Sequence, residues 1–336
     1  MNGLQRYLAT LRGEPVDHLA RTPILMQFAA EHIGSDYGRF AADHRVLVTA
    51  NRRCADDFGI DQLSCISDPY RETHGFGGQV AFVPDGPPRC TAPLAERREL
   101  DALARPDPLA STRMLDRVRA VEAYRREDHG TRSLLGWVEG PAAEAANLRG
   151  VITFMFDLMD DPAYAAELMD RCVDVAIDFA RAQVEAGVDT VGIGDAIASQ
   201  VGPDTYEALI QPREKRLVEA IHAMGAFVKL HICGNLTHLL PGIADLGVDV
   251  LDLDHPVDLA VARAAVGDQV VLTGNLDPVS VVRFGTPEGI RAALIEAYTR
   301  AGDPFMVNAG CEIPAGTPTE NLRALCEPLR PNGAAG

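Results

Sequence analysis

The sequence predicts an α/β protein whose strands close into a (β/α)8 TIM barrel, and three observations lead there. Short apolar runs alternate with longer amphipathic stretches along the whole chain. Most of the runs follow a helical pattern that ends at a glycine, the usual way for a helix to release the chain into the next strand. There are eight such runs, and eight parallel strand–helix units close most simply into a barrel. A length of 336 residues is ordinary for one domain of this kind, so 1–336 is read as a single unit.

The expected strands are 22–27, 60–65, 133–139, 189–194, 226–231, 248–253, 269–274 and 305–309. Each has the length and apolar content of a buried strand. Between 67 and 132 the pattern loosens. There Gly75-Phe76-Gly77-Gly78, Pro84-Asp85-Gly86-Pro87-Pro88 and Pro106-Asp107-Pro108 mark a short insertion after the second strand. It reads as a hairpin beside a linker and is placed as a roof over the barrel mouth. Long amphipathic helices are expected over 163–186, closed by Gly187, and over 206–224, kinked by Pro212 and closed by Gly225. Thr286-Pro287 and Thr317-Pro318-Thr319-Glu320 read as helix starts, the second with a capping-box glutamate. The tail from Pro331 onward is expected to fray.

Composition narrows the functional classes. A hydrophobic content of 47% supports a sizeable core, and no apolar run is long enough to span a membrane. The first residues lack the apolar region of a signal peptide, and seven cysteines follow no disulfide framework. A reducing, cytoplasmic setting is therefore expected. A net charge of −17 weighs against nucleic acid and anionic membranes as partners, and against a highly anionic substrate without a local basic pocket. Lys215 and Lys229 are the only lysines, so basic chemistry falls mainly to arginine.

The ligand chemistry is concentrated in His231-Ile232-Cys233-Gly234-Asn235 and in Asn308-Ala309-Gly310-Cys311-Glu312. An imidazole and a thiol two residues apart at a strand end point the same way. With Cys311 they make the nitrogen and sulfur set that zinc prefers, and three protein ligands leave one position open. The alternative is a core histidine beside two buried free cysteines. Barrel geometry favours ligation, because active sites of this fold gather at the carboxyl ends of the strands. Those ends carry Gln27, Asp68, Glu139, Asp195, His231, Asp252 with Asp254, Asn275 with Asp277, and Cys311.

Further blocks match a known pattern. They are Leu11-Arg12-Gly13-Glu14-Pro15-Val16-Asp17, Gly140-Pro141, Leu148-Arg149-Gly150, Gly274-Asn275-Leu276-Asp277-Pro278, and the stretches 230–235 and 310–321. With them, nearly the whole chain resembles the uroporphyrinogen decarboxylase superfamily, on its methyltransferase side. The Leu-His-x-Cys-Gly-Asn block with the late Gly-Cys is similar to that of zinc-dependent members, which move a methyl group from a corrinoid to an acceptor. The decarboxylases carry an arginine-rich segment after the first strand. Here that place reads Gln27-Phe28-Ala29-Ala30-Glu31-His32, without arginine, although Asp68 sits in a Ser-Asp-Pro context like their central aspartate.

The resemblance implies Zn2+ on His231, Cys233 and Cys311, and a methylcorrinoid as methyl donor. No corrinoid-binding pattern occurs in this chain, so the donor is expected on a separate corrinoid-binding protein. The acceptor is expected to be a small thiol such as coenzyme M, or tetrahydrofolate. A metal-free tetrapyrrole decarboxylase and a non-catalytic barrel that binds a tetrapyrrole or a corrinoid protein are the competing readings. Asp254 is the first candidate for the fourth zinc position, since 250–254 resembles the place where cobalamin-independent methionine synthase supplies an acidic ligand. The alternative for Asp254 is a loop carboxylate satisfied by backbone amides. Glu139 is the second candidate, and Asp195 is expected to hold the acceptor or a histidine proton. Asn235 and Asn275 are expected to organise the loops on the cofactor side. His255 is a proton acceptor or a surface histidine, and the five other cysteines are packing residues. The sequence admits a homodimer without specifying one.

Overall fold

Among the described residues, seven parallel strands carry the architecture, one fewer than the sequence predicts. The computed structural model describes residues 1–96 and 99–331, so the expected frayed tail beyond Pro331 lies outside the described residues. The chain forms β1 (Gln62–Ser64), then a hairpin of β2 (Val80–Val83) and β3 (Gly86–Cys90), then β4 (Ser133–Glu139). It continues through β5 (Thr190–Gly194), β6 (Phe227–Ile232), β7 (Val250–Leu253), β8 (Val271–Leu276) and β9 (Phe305–Ala309). The large sheet runs β1-β4-β5-β6-β7-β8-β9 with every pairing parallel, and its helices follow the strands in the order expected of an α/β protein. Its register sets Gly194 beside His231 and His231 beside Asp252.

The stretch 22–27 is not a strand. Pro23 has no N–H to give to a ladder, and Met26–His32 is already a helix. What remains is a one-residue bridge from Arg21 to Val307. The carbonyl of Ala20 accepts from Val307 N at 2.7 Å, that of Val307 accepts from Thr22 N at 2.8 Å, and that of Arg21 accepts from Asp61 N at 2.9 Å. This short segment thus bonds to β9 on one side and to the residue before β1 on the other. It spans the gap between the two edges of the sheet.

The helices follow local chemistry. Pro162–Ala186 starts where the Asp161 side chain accepts from Tyr164 N and stops at Gly187, whose φ of +115° favours glycine. The expected helix over 206–224 begins as a π-helical turn, Tyr206–Ile210, and becomes α-helical only over Gln211–Ala223. Pro212 therefore sits in a first turn, where a missing N–H is harmless, and does not kink a continuous helix. Thr286 caps Pro287–Ala301 as its sequence suggests. The capping box expected at the second helix start does not form. The Thr317 hydroxyl donates to Pro314 O at 2.7 Å, and Thr319–Leu325 starts without a side-chain cap.

The hairpin lies against the helix Tyr37–Ala42, with Tyr37 N donating to Pro84 O at 3.0 Å. From the stretch between β1 and β4, Asp68 and Pro69 reach the cavity described below. The main apolar core takes in side chains from Leu19 to Cys326 and lies between the sheet and its helices. On the inner face, Trp137 of β4 occupies space left by two glycines of β5. A Cβ at Gly192 would fall 2.2 Å, and one at Gly194 2.9 Å, from its ring.

Candidate metal centre

The carboxyl ends of β1, β4, β5 and β6, with the turn after β9, surround a cavity of about 190 Å³. His231 lies near the end of β6, and the alternation of an extended backbone puts Cys233 on the same side. Cys311 arrives from β9 across the mouth. The ligand atoms of His231, Cys233 and Cys311 lie within 4.8 Å of one another, and His231 Nε2 is 3.2 Å from Cys233 Sγ. Bonds of roughly 2.0 Å to nitrogen and 2.3 Å to sulfur fit a zinc ion among atoms so spaced. Asp43, His44 and Asp116 show similar spacing, but Arg45 and Arg117 already neutralise the two carboxylates.

The electrostatics of the three side chains suit a cation. Hydrogen bonding from Cys233, and then from His231, outweighs burial and holds the Cys311 thiol down at about 5. Cys233, which gives that bond and is buried, is pushed up. For His231 burial acts downward, but the bond to Cys311 and the charge of Asp252 prevail and raise it to about 9. The shifts arise from the close contact of three soft donors, and a divalent ion bound there would displace their ionisable protons.

Behind His231 lies a sealed polar network. His231 Nδ1 is 3.2 Å from the Asp252 carbonyl and 3.5 Å from Asp252 Oδ2. Asp252 Oδ1 accepts from Asn308 Nδ2 at 3.0 Å, and Oδ2 lies 2.8 Å from Lys229 Nζ. From sequence, Asp252 stands only as one polar strand end among several, and Lys229 as a trait of composition. The signal that could have found the pair is the spacing of Lys229 and His231, which puts both on one face of β6.

The other nominated residues fall into separate places. Asp254 Oδ2 accepts from Gly234 N at 2.7 Å and Oδ1 from His255 N at 2.7 Å, so both oxygens bind backbone amides beside Cys233. Asp195 is buried and accepts from Ala142 N and Ala143 N at 3.3 and 2.6 Å, at the start of the helix Pro141–Arg149. Asn235 is exposed and accepts from Thr237 N at 3.0 Å. Asn275 donates to Val257 O at 2.5 Å, away from the cavity. His255 is half exposed, with Nδ1 3.1 Å from Asp254 Oδ1. Cys54, Cys65, Cys172 and Cys326 are buried free thiols, and Cys90 is partly so.

Glu139 and Asp68 do line the cavity, and so does Glu312, which no sequence motif singles out. Burial pushes Glu139 up to about 8, although Arg71 Nη2 donates to its Oε1 at 2.8 Å. Burial and the neighbouring Cys311 raise Glu312 to about 7. Asp68 behaves oppositely. Burial would raise it, but Arg113 grips both oxygens at 2.8 and 2.7 Å and holds it well below the usual carboxylate range. Neither arginine shares a sequence motif with the carboxylate it binds, so these pairs leave no short-range signal.

A family model described as uroporphyrinogen decarboxylase (URO-D) matches residues 2–330. Among curated proteins, the methylcobamide:CoM methyltransferase MtbA of Methanosarcina mazei is 35% identical over 196 residues. That alignment covers 58% of this chain and 57% of the relative, so the match spans little more than half of its length. The uroporphyrinogen decarboxylase of Gloeobacter violaceus is 27% identical over 351 residues and covers 96% of each protein. Among solved structures, a methyltransferase from Methanosarcina mazei has the same fold, with a TM-score of 0.88, 24% identity and 97% of each chain covered.

Proposed function

We propose that this chain, which belongs to the uroporphyrinogen decarboxylase family, moves a methyl group from a corrinoid on a partner protein to a small acceptor. The observation that carries the reading is the convergence of His231, Cys233 and Cys311 within 4.8 Å at the strand ends. The similarity to a methylcobamide:CoM methyltransferase supports it. The seven strands and the bridging segment 20–22 are read as one (β/α)8-type barrel, with the stretch between β1 and β4 as its insertion.

The two thiols and the imidazole would hold zinc, which supplies the positive charge that keeps an acceptor thiol deprotonated at neutral pH. His231 is aimed by the Asp252 network, and Cys233 is braced through Gly234 by Asp254. Glu139 faces the cavity beside the candidate ligands. Ile24, Met26 and Trp137 keep the neighbourhood dry, which strengthens charge interactions there. The acceptor sulfur forms the new bond to the methyl carbon, and the pair from the broken cobalt–carbon bond stays on the partner's cobalt. Asp254 is the proposed fourth ligand when no acceptor is present, with Glu139 next in line. Asp195 and Asn275 hold the surrounding loops, and Asp68, at the cavity wall, fixes Arg113 behind it.

Purified protein should carry one zinc per chain by elemental analysis, and Cys233→Ser should not. Mixed with methylcobalamin and a panel of thiols and tetrahydrofolate, the protein should consume the methyl–cobalt absorbance. Uroporphyrinogen should not turn over. Formation of coproporphyrinogen at a rate matching demethylation would overturn the reading.

A further inference from the structure

Among the described residues eleven large apolar side chains are exposed, and four of them crowd onto one ten-residue helix, Val151–Asp160. Ile152 is 75% exposed, Phe156 59% and Met159 79%, with Val151 in the first turn half exposed. At 3.6 residues per turn, Val151, Met155, Met159, Ile152 and Phe156 lie side by side over about 140° of the helix surface. No charged residue interrupts that arc. The opposite face anchors the helix. Phe154 and Leu158 are buried in the main core, and Asp157 is held by Arg149 Nε at 2.7 Å. A helix that is apolar nearly all round belongs in an interior, and the fold covers only one side of this one.

The uncovered area is large enough to matter. The exposed parts of the four side chains come to about 500 Å², at roughly 200 Å² for a fully exposed large side chain. Monomers rarely leave a contiguous apolar patch larger than a few hundred Å² in water. Two copies meeting on this face would bury about 1,000 Å² through these side chains alone, which is the lower bound for a specific interface.

We propose that a second copy of the chain docks here, with the two Val151–Asp160 helices packed antiparallel across a two-fold axis. An axis through the midpoint of residues 155 and 156 pairs Ile152 with Met159 of the other copy and Met155 with Phe156, so apolar meets apolar along the seam. It also sets Val151 against Asp160. The helix starts without a side-chain cap and Asp160 is exposed, so each carboxylate meets the positive end of the opposite helix. The uncharged arc favours this occupant over the corrinoid-carrying partner. Interfaces between identical chains are more apolar than the rest of the surface, whereas those that form and part repeatedly are not. The face serves association whatever the chemistry at the metal centre.

Sedimentation velocity of the purified protein tests the proposal: at micromolar concentration it should run at twice the chain mass. Each chain carries −17, so the dimer should tighten several-fold as salt screens the repulsion between copies. Ile152→Lys or Met159→Glu places an unpaired charge in the seam, and each should weaken the dimer at least about tenfold. Both positions are exposed in the single chain, and circular dichroism should show the fold intact. Because residue 152 meets residue 159 across the axis, the double variant should recover most of the loss through two ion pairs between copies. Within one chain the two positions are about 10 Å apart and cannot pair. A double variant no better than the singles would overturn the antiparallel register. A wild type that stays monomeric, or single variants that dimerise as it does, would overturn the docking of a second copy on this face.

Discussion

Lys229 Nζ lies 2.8 Å from Asp252 Oδ2, and the pair is closed off from solvent directly behind His231. The lysine balances a carboxylate that in turn orients the imidazole, so its charge acts on the proposed metal ligand without touching it. Outer partners of a histidine ligand fix its tautomer and raise its basicity. Asp252→Asn should weaken zinc binding by about 10–100-fold, measured by competition with a chromogenic chelator. Lys229→Met leaves the aspartate unbalanced and should lower thermal stability as well. An unaltered affinity in Asp252→Asn would show that packing alone orients His231.

Asp254 braces the turn after Cys233 through the Gly234 amide. Asp254→Ala removes that brace, and the expected outcome is a lower zinc affinity with Cys233 still bound. X-ray absorption decides its second proposed role. Loss of an oxygen neighbour from the resting centre would identify Asp254 as the fourth ligand. An unchanged shell would pass that role to Glu139.

Asp68 and Arg113 form a buried two-pronged pair. Asp68→Asn strands the guanidinium, and the cost should be about 3–5 kcal/mol by denaturant unfolding. The folded carboxyl lies below its unfolded value. Its contribution is therefore complete above the ordinary aspartate range and is lost as pH falls through the lower folded value. Acid titration of wild type against Asp68→Asn should show the two stabilities converging only at strongly acidic pH.

Glu139 titrates in the opposite sense. It is held up to about 8 by burial, against roughly 4.3 in an unfolded chain. Between those values the folded state keeps a proton that the unfolded state has lost, so its contribution falls as pH rises. The melting temperature of wild type relative to Glu139→Gln should drop steadily across that window. A flat difference would mean that Glu139 is already ionised in the folded protein.

Gly192 faces the Trp137 ring with no room for a side chain. Gly192→Ala should destabilise the protein by about 1–3 kcal/mol through overpacking. The displaced indole should also alter the cavity, which intrinsic tryptophan fluorescence reports cleanly because Trp137 is the only tryptophan.

The strands of the large sheet were legible because each is an apolar run bounded by turn residues, and their observed ends fall within two residues of expectation. The failure at 22–27 has a local cause in Pro23 and a distant one in Val307, whose hydrogen bonds decide what the segment becomes. His231, Cys233 and Cys311 were legible as ligand types whose strand ends a barrel brings together. Glu312, Arg71 and Arg113 were not. The two arginines are placed by partners far along the chain, and Glu312 by its burial beside Cys311, which its residue type alone does not announce. Thr317 misled for a related reason: its hydroxyl had a competing local carbonyl at Pro314.

The bridge at 20–22 has a consequence for biosynthesis. Thr22 and Val307 are 285 residues apart, so the two can meet only after the long stretch between them and β9 itself have left the ribosome. Until then β1 and the growing sheet present open hydrogen-bonding edges, the kind of surface that recruits other chains. A nascent chain stalled before residue 305 lacks the strand that completes the circuit. Such stalled chains should be the aggregating species when translation outruns chaperone supply, and release of the last strand should mark the moment of protection.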